Sequence, residues 1–337
     1  MKHIFALSSS LLVLLISLTG CNDEKASKIH VTESIAKNAP SSADSTWPRT
    51  LDTPKGKLVL QKIPQRIVST SVTLTGSLLT INAPVVASSA TVHMTQVTDS
   101  TGFFTQWSAI AQQRGVVPLY QGEVNAEAVL AMAPDLIVVS ATGGDSALKA
   151  YEQLSQIAPT LVVNYDDKSW EEVSLILGQA TGHEADAKAA IDEFNQHLAK
   201  VTQQITLPEQ PVTAMVYYDD DTGANLWTKD SAQGRLLEKL GFTLATMPDS
   251  LKNQSVALGR KDIIPVSGER FSEALTGNSL MLFAGDDVTV KKVTANKFLL
   301  RHPAVVHNRV YAVGVDTFRL DYYSATNLLN RVAQLFS

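Results

Sequence analysis

The feature that most constrains the fold is a long amphipathic run in mid-chain, from Glu184 to Ile205. Ala187, Ala190, Ile191, Phe194, Leu198, Val201 and Ile205 recur every three to four residues. That spacing lays one apolar stripe along about 30 Å of helix. No glycine or proline interrupts the run, and Pro208 and Pro211 bar its continuation. Short apolar segments flank it. Before it come Arg66-Ile-Val-Ser69, Pro84-Val-Val-Ala87, Leu136-Ile-Val-Val139 and Leu161-Val-Val163, with helices predicted from Leu74 and over Ala126–Met132. Near-continuous Val, Ile and Leu runs separated by helices mark parallel strands buried on both faces. A second series comes after it: Val212–Tyr217, Leu236–Phe242, Ser279–Phe283, Arg309–Val313 and a closing helix over Ser324–Phe336. The pattern predicts two α/β lobes joined by a single long helix. One ordinary doubly wound domain is the alternative that the residues leave open.

The start of the chain belongs to a different class of segment. Lys2 and His3 precede an apolar run from Ile4 to Ile16, closed by Leu18-Thr-Gly-Cys21. A basic start, a short apolar core and a small residue before the cut read as a secretory signal peptide. The run is short of the roughly 20 apolar residues that span a bilayer. Its ending resembles the bacterial lipoprotein signal, and that resemblance implies that Cys21 is lipidated and becomes the mature N-terminus. A plain signal peptide, or a membrane anchor with a chance cysteine, is the competing reading. From Asn22 to Thr46 the chain turns to Ser, Ala, Lys, Glu and Asp, too polar to offset its ordering entropy. The expected division is a signal peptide over 1–20, a lipidated tether over 21–46, a first lobe over 47–182, a bridging helix over 183–207 and a second lobe over 208–337.

Composition then narrows the function. The 337 residues are 45% hydrophobic and 18% charged, ample for a packed core. A net charge of −5 without a basic stripe argues against nucleic acid as a partner. Cys21 is the single cysteine, so neither a disulfide nor a cysteine metal site is expected. The chain lacks Gly-x-Ser-x-Gly, a Walker phosphate loop, Gly-x-Gly-x-x-Gly and His-Glu-x-x-His. The His183-Glu184 pair has Ala187 where a second zinc ligand would stand, and reads as a solvated helix start. The histidines are dispersed, and His302 and His307, on either side of Pro303, read as surface structure. No catalytic residue and no directly bound metal are expected.

Three segments of the second half look built for capture instead. Asn225-Leu-Trp-Thr228 comes after the Val212 run, in an expected loop that also holds Asp219, Asp220 and Asp221. Gly259-Arg-Lys-Asp262 is a basic pair in a loop. Thr317-Phe-Arg-Leu-Asp-Tyr-Tyr323 leads into the last helix. An arginine beside aromatic rings holds a flat anion by charge, stacking and forked hydrogen bonds together. The bland alternative pairs Arg319 with Asp321 and packs Trp227 in the core.

Five blocks in order carry a family resemblance from about Trp47 to the end. They are Arg66-Ile-Val-Ser-Thr-Ser-Val-Thr-Leu-Thr-Gly76, Pro134-Asp-Leu-Ile with Ser140-Ala-Thr-Gly-Gly-Asp-Ser-Ala147, Asn164-Tyr-Asp-Asp-Lys-Ser-Trp170, Ala224-Asn-Leu-Trp-Thr228 and Thr317-Phe-Arg-Leu-Asp-Tyr-Tyr-Ser-Ala325. Together they resemble the periplasmic ferric-enterobactin-binding proteins of bacterial ABC importers. The resemblance implies the helix-bridged two-lobe fold and a trianionic triscatecholate as ligand. The siderophore would supply every iron ligand, so Fe(III) enters as cargo and not as a cofactor. By resemblance Trp227, Arg260 and Arg319 line the cleft, with Ser71 and Gly143–Asp145 as weaker candidates. Relatives carry a basic residue in the loop where this chain has Met94-Thr-Gln96, which leaves the preferred catecholate open.

The same resemblance gives Glu127 and Glu269 the role of meeting arginines on the permease, although Glu273 lies near the second. A favourable charge at a helix start explains either one equally. The expectation is a monomeric periplasmic protein, tethered to a membrane by lipid, that delivers ferric enterobactin or a related catecholate to an ABC permease. Rival readings are the same fold holding haem or a cobalamin, and a secreted siderophore esterase.

Overall fold

The computed structural model describes residues 46–92, 96–218, 220–248, 262–268 and 271–337. An antiparallel hairpin, β1 (Arg49–Thr53) and β2 (Gly56–Leu60), precedes a sheet of β3 (Ile67–Ser69), β4 (Val85–Ala90), β5 (Val117–Gln121), β6 (Leu136–Ser140) and β7 (Thr160–Val163). All its pairings are parallel, in the order β5-β4-β3-β6-β7. Helices α1 (Val72–Thr80), α2 (Thr105–Gln113), α3 (Ala126–Ala131), α4 (Tyr151–Ser155) and α5 (Trp170–Thr181) connect and cover the strands. Alternation along the strands feeds two cores. Ile67 and Val138 join Leu74, Leu78 and Leu177 on one face, while Val68, Ile137 and Val139 join Val129 and Leu154 on the other.

The hairpin and β5 carry no strong sequence signal. Pro118 within β5 is tolerated because β5 is an edge strand with one side unpaired. Helix α1 begins at Val72, two residues before the expected Leu74, because Ser71 caps it from an extended conformation.

Helix α6 (Glu184–Gln204) occupies the amphipathic run, and its stripe is shared between two cores. Ala187 is buried in the first half, whereas Phe194, Leu198 and Val201 are buried in the second. Beyond α6 lies a sheet of β8 (Val212–Tyr217), β9 (Gly223–Trp227), β10 (Ile263–Ser267), β11 (Ser279–Phe283) and β12 (Val310–Gly314), in the order β10-β9-β8-β11-β12. Its helices are α7 (Ala232–Lys239), α8 (Phe271–Ala274), α9 (Asp287–Ala295), α10 (Pro303–Val306) and α11 (Tyr322–Phe336). This sheet is mixed: β8, β11 and β12 are parallel, but β9 runs antiparallel to both β8 and β10.

Two expectations are corrected here. Asn225-Leu226-Trp227 is strand rather than loop, because it pairs antiparallel with β8 on one side and β10 on the other. His302 is buried rather than superficial: its Nε2 lies 2.7 Å from the Leu275 carbonyl, and its Nδ1 accepts from Ala304 N–H as the cap of α10.

The two halves interlock behind the sheets. Trp170 begins α5 in the first half, yet its ring packs in the core of the second, 5.0 Å from Phe194 and 5.5 Å from Tyr322 between ring centres. Tyr323 does the reverse and packs against the first core. Gly76 on α1 faces the start of α11, where any Cβ would overlap Asp321 Oδ2 and crowd the Trp107 ring. Glycine is therefore required for this approach.

Candidate functional site

In the first sheet the strand order reverses between β3 and β6, and the loops after these strands open a crevice at their carboxyl ends. Open α/β sheets bind ligands at such a switch point. Ser71 and Asp145 come from those two loops and meet there. Ser71 Oγ donates to Asp145 Oδ2 at 2.5 Å, and Thr73 N–H donates to the same oxygen at 2.9 Å. The other carboxylate oxygen accepts from the Tyr165 hydroxyl at 3.0 Å. Gly143, at φ +85°, allows this packing, since a Cβ there would coincide with the Tyr165 hydroxyl. Burial, and then the charge of Asp145, pushes the Tyr165 phenol up to about 12.

A cleft opens from this cluster toward the second half. It is open to solvent and lies between Thr73 and Ser77 of α1, Tyr165, Asp166 and Lys168 after β7, Trp227 at the end of β9, and Phe318 and Arg319 before α11. The Arg319 guanidinium stands 5.2 Å from the centre of the Tyr165 ring and 5.1 Å from that of Phe318. It makes no ion pair among the described residues. Trp227 packs 5.7 Å from Phe318 between ring centres. Its ring is buried, and its indole N–H has no acceptor among the described residues.

The arginine loop is held from below. Gln233 Nε2 donates to the carbonyls of Thr317 and Phe318 at 3.2 and 2.7 Å, and Ser324 Oγ donates to the Arg319 carbonyl at 3.0 Å. Asp321, two residues on, faces away from Arg319. It caps α11 through Ser324 N–H at 2.8 Å and accepts from Gln106 Nε2 at 3.4 Å. Burial raises its pKa from 3.8 to about 6 against the pull of those hydrogen bonds.

The structure thus brings Trp227 and Arg319 to one cleft and sets Ser71 and Asp145 behind its Thr73 and Tyr165 wall. Arg260, Glu269 and Cys21 lie outside the described residues, as do Met94 and Thr95. Gln96 is exposed and its amide donates to Asp286 in the second half. Glu127 is exposed in the first turn of α3, behind the Asn125 cap, and Glu273 is exposed in the first turn of α8. Among the described residues no three His, Cys, Asp or Glu side chains converge as a metal site, and no helix is long and apolar enough to cross a membrane. Sequence reasoning missed Tyr165, Phe318 and Gln233 as site residues. Tyr165 had a usable signal, since it closes an apolar strand at the carboxyl end where such sheets bind ligands.

Two lobes, a bridging helix and a cleft at the strand ends suit a protein that takes up a ligand between its halves. Residues 67–316 match the family described as periplasmic binding protein, and the chain belongs to that family. It is 53% identical over 290 residues, 86% of this chain and 91% of the relative, to the ferric enterobactin-binding periplasmic protein FepB of Escherichia coli O6:H1. The iron(3+)-hydroxamate-binding protein YxeB of Bacillus subtilis is 24% identical over 94% of this chain and 91% of its own length. Among solved structures, holo-ViuP matches with a TM-score of 0.79 and 32% identity, over 87% of this chain and 96% of that one.

Proposed function

We propose that this protein captures a ferric catecholate siderophore of the enterobactin type in the periplasm and hands it to an ABC permease for iron uptake. The observation that carries the reading is Arg319, stacked between Tyr165 and Phe318 with Trp227 behind, in the cleft between the lobes. A caged ferric triscatecholate presents flat aromatic faces around a negative charge. A ring-flanked cation with no counter-ion among the described residues complements both properties. The 53% identity to a ferric enterobactin-binding relative supports the same ligand class.

Arg260 would add a second cation to this wall. Glu127 and Glu269, one on each lobe, would meet the permease, and Cys21 would carry the lipid. The chain does no covalent chemistry in this reading, and it acts as a monomer. Titration of ferric enterobactin against tryptophan fluorescence tests the proposal. Quenching with a shifted melting temperature is expected; the absence of both at micromolar ligand overturns it.

A further inference from the structure

Ser71 and Asp145 stand in the cleft region, yet their polar atoms are turned on one another and on Tyr165. Asp145 receives three donors, from Ser71 Oγ, Thr73 N–H and the Tyr165 hydroxyl. Two of these belong to the start of α1, where the helix dipole favours a carboxylate. The third ties down the hydroxyl end of the Tyr165 ring, whose body is packed in the first core. The ring's face then receives the Arg319 guanidinium from the opposite lobe. Gly143 completes the arrangement by leaving space for the phenol oxygen and for nothing larger.

We propose that Asp145 and Tyr165 are positioning residues: the carboxylate holds the phenol, and the phenol ring holds the ligand-gripping arginine across the gap between the lobes. This rests on the ferric catecholate reading only for its effect on affinity. The arrangement itself exists without ligand. It assigns Ser71 and Asp145 a role behind the binding surface instead of on it, and makes Tyr165 the group through which one lobe orients the cation of the other.

The groups facing this unit are Ser71 and Thr73 from α1, Asp145 from the loop after β6, and Arg319 from the loop before α11. The charges set against the phenol are thus one carboxylate and one guanidinium, while Asp166 and Lys168 line the same cleft beside it. Because Tyr165 lies between the carboxylate and the guanidinium, removing its hydroxyl leaves the ring area intact but cuts the tie between the ring and Asp145.

The test has two arms. In the unliganded protein, the Nε–Hε resonance of Arg319 is assigned by its loss in Arg319→Lys and followed by nitrogen–proton correlation spectroscopy. Stacking places it upfield, and Tyr165→Phe is expected to move it toward the value of an exposed arginine. In the second arm, the affinity for ferric enterobactin is measured for Tyr165→Phe, Arg319→Ala and the double variant. Tyr165→Phe alone should weaken binding about fivefold, the worth of one hydrogen bond, and should have no further effect once Arg319 is gone. An unmoved resonance in Tyr165→Phe, or losses that multiply independently in the double variant, overturns the proposal. If the resonance moves but no variant, nor the parent, binds the siderophore, the positioning stands and the ligand reading falls.

Discussion

Arg319 and Asp321 are two residues apart, yet they belong to opposite kinds of junction between the same two lobes. Asp321 points into the interface behind the cleft, where Gly76, Trp107 and Gln106 leave no room for another atom. Arg319 points into the open cleft, where it touches rings but no carboxylate among the described residues. The rear interface is packed like a core: Trp170 crosses into the second lobe and Tyr323 into the first. The front holds a guanidinium flanked by rings and without an ion pair among the described residues; orphaned buried polar atoms occur on both sides, at Trp227 in front and at Trp107 and Gln106 behind. The lobes are fixed relative to each other by crossed rings and close backbone approach at the back, while the front leaves a guanidinium facing open space. With an interface of this kind, closure on a ligand is expected to be small.

The largest effect should come from Trp170, whose ring serves the interlock and also lines the cleft. Trp170→Ala deletes a ring buried among Phe194 and Tyr322, and should cost about 3–5 kcal/mol in urea unfolding. Ligand affinity should fall too, since the lobes lose their setting and the cleft loses part of its wall. Full stability in this variant would show that the bridging helix suffices without the crossed rings.

Asp321 gives a pH signature to the same interface. Its folded pKa of about 6 lies above the ordinary 3.8, so the folded state holds the proton more tightly than the unfolded chain. Stability should therefore decline as pH rises from about 4 to about 6, by on the order of 3 kcal/mol for this group. Asp321→Asn keeps an oxygen for the cap and should flatten that slope in melts run across the range. An unchanged slope would place the titration elsewhere.

At the front, Arg319→Ala should weaken ferric catecholate binding by about 1.5–3 kcal/mol while leaving unfolding nearly unchanged. Calorimetry with a parallel urea melt reads both. A variant that melts early would blur the contrast between the two junctions. The smallest effect belongs to the ion pair of Lys239 with Glu171, 2.9 Å apart between α7 and α5 at the border of the lobes. Glu171→Gln should cost under about 1 kcal/mol, since Lys239 is exposed and the charge is screened. A larger loss would move this pair into the packed interface.

The elements most legible in the sequence are those whose reason is local. The stripe of α6 comes from spacing alone, and β6 and β7 come from continuous buried aliphatics. Strands β1, β2 and β5 escape such reading because they are short, half-exposed and, in β5, broken by Pro118; only pairing with neighbours makes them strands. Asn225–Trp227 reads as loop for a similar reason, as the pairing of β9 with β8 and β10 is a long-range fact. Within the site, Arg319 and Trp227 are visible as residue types suited to a flat anion. Tyr165 is not, since its role needs Asp145 twenty positions earlier and Arg319 far down the chain.

By itself, then, the order of residues determined two α/β halves and the helix that carries one apolar face from the first core to the second. Such features depend on periodicities a few residues long, which a chain displays before it folds. Tertiary structure alone decided that Trp170 serves the far lobe, that Asp321 is buried while Arg319 faces the cleft, and that one tyrosine connects a carboxylate to a guanidinium. Those outcomes depend on which surfaces meet when the lobes dock, and docking brings together residues that no local pattern links.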